Sequence, residues 1–316
     1  MSTTITSEDP GRTETVPQTA GKRGRKKVSF GRIVAWTLLV IAIIITLFPF
    51  YWMLRTAFST SKSLFSDPGS LLPVDPTLGA FKRVLGLASV EEAQAEGGSG
   101  ASVNFLLYLR NSIVYSTVVT IGQVFFCSLA AYAFARLNWP GRDKVFVLFL
   151  AALMVPPIFT SLPNFILIKN LGLLNTFPGL VLPTLLMTPF AIFFLRQFFL
   201  GISKEIEEAA KLDGAGHFRI FFRIILPMST APIVTLFILT FINMWNEYFW
   251  PLLVGGAEKT RVLTLAIGIF RSQTPQGSPD WAGLMAMVLV AALPILILFF
   301  VFAKQIVNSI GSSGLK

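Results

Sequence analysis

Between Ile33 and Leu54 the chain carries no charged side chain, and further apolar runs cover about 111–135, 145–168, 179–199, 230–254 and 283–303. A hydrocarbon core of about 30 Å takes roughly 20 residues of helix. Lipid offers no partner to a bare peptide group, so a spanning segment must close its hydrogen bonds within a helix or a closed barrel. Runs of this length predict an all-α polytopic membrane protein with six transmembrane helices. Composition points the same way. Of 316 residues 53% are hydrophobic and only 13% charged, where an ordinary soluble domain carries about a quarter charged. The first run is too long for a signal-peptide core, and no small-residue cleavage site follows it, so it reads as an uncleaved span.

The net charge of +10 is no signature of nucleic-acid binding. Much of the excess is the cluster Lys22, Arg23, Arg25, Lys26 and Lys27, next to the first span. Six spans starting inside put both termini in the cytoplasm. Segments inside then hold 17 Lys and Arg against nine outside, the asymmetry expected of a cell-membrane protein in that orientation. Residues 1–30 are polar and aperiodic and are expected to be disordered. Residues 55–109 form a long external connection whose Pro, Gly and Ser content argues against a compact core. Within it, residues 91–100 read as a flexible, solvated acidic insertion. Residues 305–316 are expected to be a short cytoplasmic tail. The one cysteine, Cys127, lies in an apolar run and reads as a small apolar residue. The one histidine, His217, has no companion for a metal site.

The most polar stretch of the second half is Ser203 to Pro227, between the fourth and fifth runs. Ser203 is placed to cap a helix whose first turns hold Glu205, Glu207 and Glu208. Ala209 and Ala210 leave room for another surface to approach. Gly214-Ala215-Gly216 predicts a stop and a turn. Phe218, Phe221, Phe222 and Ile225 then fall at i, i+3, i+4 and i+7, one apolar stripe with Arg219 and Arg223 on the other side, ended by Pro227.

Glu208-Ala209-Ala210, Gly214, Ile224 and Leu226-Pro227 match in identity and spacing the EAA signature of the membrane subunits of bacterial ABC importers, which this stretch resembles. The resemblance implies that the first helix is a coupling helix docking into a separate ATPase. The coupling set would be Glu208, Ala209, Ala210, Asp213 and Gly214, with Glu208 a polar contact and the small residues allowing close approach. Residues 31–304 would then be the six-span permease domain, with the EAA loop at 203–227.

No stretch fits Gly, four residues, Gly-Lys-Ser/Thr, so ATP hydrolysis is expected on separate subunits and the chain is not read as an enzyme. Intramembrane acids are sparse, Glu247 being the exception, which disfavours an ion-coupled carrier working alone. Prolines within the runs suit kinked helices around a path. Asn243, Trp245, Asn246 and Glu247 set amide and carboxylate groups beside aromatic faces, a combination that suits sugars; Tyr248 and Trp250 also fit a plain interfacial belt. With Asn111-Ser112, Ala130-Ala131-Tyr132-Ala133, Arg136, Gly172-Leu173-Leu174-Asn175-Thr176 and Leu195-Arg196-Gln197-Phe198-Phe199, the chain from about residue 105 onward resembles the carbohydrate-uptake branch, specifically the second, maltose-permease-like subunit of a heterodimeric pair. That resemblance implies a second permease subunit, two ATPase subunits holding ATP and Mg, and an extracytoplasmic sugar-binding protein met by the loop at about 255–280. It implies no cofactor in this chain. Asn243, Trp245, Asn246 and Glu247 are the path candidates. A secondary carrier and an importer of a non-sugar solute such as a glycerophosphate stay open as alternatives.

Overall fold

The computed structural model describes residues 30–98, 103–273 and 280–313. The expected N-terminal tail up to residue 29, residues 99–100 of the acidic stretch and the last three residues of the tail lie outside the described residues.

Among the described residues every regular element is helical. In chain order they are α1 (Phe30–Ala57), a 3-10 turn (Ser63–Phe65), α2 (Gly79–Val84), α3 (Val90–Ala95), α4 (Phe105–Arg136) and α5 (Arg142–Ala152). Then come α6 (Pro157–Asn170), α7 (Phe177–Leu185), α8 (Pro189–Leu200), α9 (Lys204–Leu212) and α10 (His217–Ile220). A π turn (Phe221–Ile225) leads into α11 (Leu226–Met228), α12 (Thr230–Trp245) and α13 (Phe249–Val254), and after a second 3-10 turn (Glu258–Thr260) the chain ends in α14 (Leu263–Gln273) and α15 (Trp281–Ser313). The chain divides at Pro49 into two units. The first contributes an apolar helical stretch with no polar face; the second, from Phe50, holds everything else.

Helices α1, α4 and α15 are each long and apolar enough to cross a membrane. Three bent pairs bring the total to six if each is one span: α5–α6 at 98°, α7–α8 at 44°, and the segment His217–Met228 with α12 at 79°. The protein is all-α and polytopic. Pro156-Pro157 sits at the first break and Pro189 opens α8 after the second; a proline at a first helical position costs nothing, because its missing N–H would be unbonded there anyway.

Helix α4 is the hub, and its buried face is polar. Asn111, Ser112, Tyr115, Ser116, Val119, Thr120, Gln123 and Cys127 recur at helical spacing and are all buried. In lipid an apolar face gains nothing by turning inward, so small and polar side chains make the helix contacts. Asn111 Nδ2 donates to the carbonyls of Lys259 (3.1 Å) and Arg261 (2.9 Å), and Ser112 Oγ accepts from the Leu263 N–H (2.7 Å). Further along, Gln123 donates its amide to the Thr184 carbonyl, and Cys127 Sγ accepts from the Thr188 N–H at 3.3 Å. These two side chains satisfy backbone groups freed at the α7–α8 break, which lipid could not. Cys127 is therefore more than a small apolar filler. A Cβ on Gly122 would stand 2.3 Å from the Leu185 side chain, so α4 and α7 meet there only because the residue is glycine.

Several sequence expectations are corrected. The long connection at 55–109 does build a core: Ala57, Leu64, Ala80 and Val84 are buried with Phe105, Phe241, Leu263 and Ala282. The acidic stretch begins in an ordered helix, α3, closed by a reciprocal cap between Ser89 and Glu92. Glu96 then pairs with Arg83 at 3.0 Å, and Arg83 pairs with buried Asp280 at 3.0 Å. The connection after the fifth run contains α14, with Leu263, Leu265, Ala266 and Phe270 buried. Helix α12 stops at Trp245 rather than near residue 254, and α15 runs on to Ser313 through most of the expected tail.

Candidate functional site

Helix α9 is short and almost wholly outward-facing. Ser203 Oγ accepts from the Glu205 N–H at 3.3 Å, which caps the start. At its end the Ala215 N–H reaches the Ala210 carbonyl at 2.9 Å around Gly214 at φ +77°, a left-handed stop that a glycine adopts without strain. Of the expected coupling set, Glu208, Ala209, Asp213 and Gly214 are exposed and Ala210 is half-buried. Beside them Leu212 is 91% exposed and Phe218 75% exposed, two apolar side chains that flank the turn and lie outside the signature. The expected stripe is only partly inward: Phe221 and Ile225 are buried with Ile220, while Phe218 and Phe222 are exposed. A π turn lies in this stretch just before Pro227, whose ring cannot donate to the Arg223 carbonyl and would collide with it in a regular helix; the widened turn takes up that misfit.

Helix α9 is held by a residue outside the expected coupling set. Glu207, beside the signature glutamate, is the buried residue of the helix. Its Oε1 lies 3.1 Å from Arg136 Nε, with side-chain exposures of 6% and 2%. The N–H is not aimed along that line, so the contact is an ion pair rather than a hydrogen bond. Arg136 Nη2 also donates to the carbonyls of Phe199 and, at 2.5 Å, Ile202. One guanidinium at the end of α4 thus ties together the end of α8, the loop after it and α9. Tyr132, one turn earlier, packs on Phe221 with ring centroids 5.2 Å apart. Removing either charge of a buried pair strands the other, which is costly, so α9 is held to α4 and α8 as one piece.

The four path candidates do not converge. Trp245 is buried and stacked on Phe241 at 5.8 Å. Asn243 and Asn246 are exposed, and Asn246 Nδ2 donates to the Ile242 carbonyl at 2.8 Å. Glu247 alone faces a cavity, of about 280 Å³, between α6, α7 and α13. Its Oε1 accepts from the Trp250 N–H (3.0 Å) and its carbonyl from Thr264 Oγ1 (2.7 Å). Trp250 is turned inward, its indole N–H donating to the Leu180 carbonyl at 3.1 Å.

The sequence profile of the family described as binding-protein-dependent transport system inner membrane component matches residues 99–311. Among curated relatives, a probable ABC transporter permease of Bacillus subtilis, YurM, is 33% identical over 92% of this chain and 91% of its own. The sn-glycerol-3-phosphate transport system permease UgpE of Agrobacterium fabrum is 35% identical over 83% and 90%. The diacetylchitobiose uptake permease NgcG of Streptomyces coelicolor is 29% identical over 92% and 88%. A crystal structure of a bacterial ABC transporter involved in the import of the acidic polysaccharide alginate superposes with a TM-score of 0.72 over 86% of this chain and 95% of that one, at 23% identity, which speaks to the fold. An exposed EAA turn clamped to a bundle of broken spans is what this kinship leads one to look for, and the chain belongs to the binding-protein-dependent inner-membrane components, the permeases of ABC importers.

Proposed function

We propose that the chain is the second permease subunit of a heterodimeric sugar importer driven by ATP. The observation that carries this is the α9 turn: Glu208, Ala209, Leu212, Asp213 and Gly214 face outward on a helix fixed from behind by the Arg136–Glu207 pair. A surface of small, acidic and apolar side chains on a rigid mount suits docking by a partner that must push the bundle. In this reading ATP and Mg are held by two partner ATPase subunits. Their closure moves α9, and Arg136 carries the displacement to α4 and α8. Both termini and α9 lie in the cytoplasm of a bacterial cell, as the Lys and Arg asymmetry supports. An extracytoplasmic binding protein delivers the sugar to the opposite end, near the exposed residues Glu258 and Lys259.

A glycerophosphate importer is the second reading, favoured by the identity to UgpE. The first reading is tested by capturing the tagged chain in mild detergent and identifying by mass spectrometry what accompanies it. An ATPase and a second permease are expected with wild type, and Glu208→Lys is expected to lose the ATPase while keeping the permease. A wild-type chain that emerges alone and stable would sink this function and point to an ion-coupled carrier.

A further inference from the structure

The cavity beside Glu247 has a chemistry of its own. Thr160 and Ser161 on α6 both donate their hydroxyls to the Pro157 carbonyl, each at 2.9 Å. Thr184 on α7 donates to the Val181 carbonyl at 3.3 Å. All three line the cavity, and their hydroxyl protons are already committed. What they offer an occupant is oxygen lone pairs. Glu247 offers a carboxylate whose Oε1 accepts from the Trp250 N–H and whose Oε2 makes no hydrogen bond among the described residues. Asn164 also lines the cavity, and its amide makes no hydrogen bond among the described residues. Among the described residues no Lys, Arg or His lines it. The wall is therefore rich in acceptors, has one amide donor, and carries one negative charge.

That pattern selects its occupant. A phosphate or carboxylate solute brings acceptors and negative charge, and would meet an acceptor wall with no cation. A sugar ring brings several hydroxyl donors, and its C–H face suits the half-exposed ring of Phe249, which also lines the cavity. The volume, about 280 Å³, sits at the lower edge of small-molecule sites, about 300–1,000 Å³, so it takes one ring rather than a chain. The cavity also lies just beyond the Pro156-Pro157 break, and interrupted spans are where membrane transporters place their solutes.

We propose that this cavity is a subsite for a single neutral, polyhydroxylated sugar ring, with Glu247 and Asn164 engaging its hydroxyls and Phe249 its C–H face. It rests on the importer reading and narrows it to an uncharged solute. Glu247→Leu removes the charged acceptor and Asn164→Leu the donor; each loses at least one hydrogen bond, which should weaken ring binding by roughly tenfold.

The test is saturation-transfer NMR on the assembled transporter in nanodiscs, without its binding protein, using maltose, N,N′-diacetylchitobiose and sn-glycerol-3-phosphate as probes. Ring protons of at least one sugar should receive saturation from wild type, fall steeply in Glu247→Leu and Asn164→Leu, and exceed those of the phosphate probe. Thr160→Val, a milder change, should give an intermediate loss. Signals that are equal in wild type and all variants, absent for both sugars, or as strong for sn-glycerol-3-phosphate would overturn the subsite. Failure of the complex to assemble even for wild type would instead overturn the importer reading. Retained ATPase in each variant excludes misfolding as the cause of a lost signal.

Discussion

Arg136 shows how one side chain can organise a site it does not belong to. Its guanidinium serves Glu207 and two backbone carbonyls at once. Because both side chains of the ion pair are over nine-tenths buried, Glu207→Leu should destabilise the protein by about 3–5 kcal/mol by leaving the arginine uncompensated. Glu207→Gln, which keeps an acceptor, should cost less. Thermal unfolding in detergent, with the Arg136→Leu/Glu207→Leu double variant closing the cycle, measures the coupling; additive effects would contradict the pairing. Gly214 makes a different demand. Its φ of +77° strains any side chain, but nothing lies within 4 Å of a Cβ there. Gly214→Ala should therefore cost only about 1–2 kcal/mol of local strain, whereas Gly214→Trp should fold and, if α9 docks a partner ATPase as proposed, fail to retain it on capture. The glutamate of the signature was legible because it sits in a motif. Its buried neighbour was not, since Arg136 and Glu207 are far apart in sequence and only the packing of α4 against α8 brings them together.

At the scale of elements, the breaks are where sequence and structure agree in kind and differ in detail. Prolines announced kinks, but not which side chains would satisfy the freed backbone. Gln123 and Cys127 do so from α4, and a run of small polar residues inside a span was the available signal. Cys127→Ala leaves the Thr188 N–H without its acceptor and should lower stability by about 1–3 kcal/mol, read as an earlier unfolding midpoint. The thiol should also resist maleimide labelling until the bundle is unfolded. The acidic stretch has the composition of a solvated loop but the pattern of a helix start: Ser89 followed three residues later by Glu92 is a capping signature, and the helix it starts is there. Helix α14 was hidden for another reason. It is shorter than a span and flanked by Gly and charged residues, so it resembled a loop until its buried face was seen.

For the whole molecule, the six apolar runs were legible because lipid permits few alternatives to a helix, whereas the order within the connections depends on distant partners. Arg83 joins Glu96 after α3 to Asp280 before α15, and Asp280 Oδ1 also accepts from the Gly283 N–H at 2.8 Å, where α15 begins. Arg83→Leu should therefore loosen residues 60–98 together with the start of α15, seen as faster limited proteolysis of that region in the detergent-purified protein. Unchanged cleavage would show that the apolar core alone holds it. Helix α12 has only 16 residues between the bend at Ser229 and the polar Asn246-Glu247, about 24 Å of axis at 1.5 Å per residue. A typical hydrocarbon core is about 30 Å deep, so α12 crosses it only with help from the segment beyond the bend, His217–Met228, or where the bilayer thins beside it. Acyl-chain length thereby becomes a mechanical input to the same bend that leads back to the α9 turn. Transport should be fastest in bilayers of shorter-chain lipids and slow as the chains lengthen.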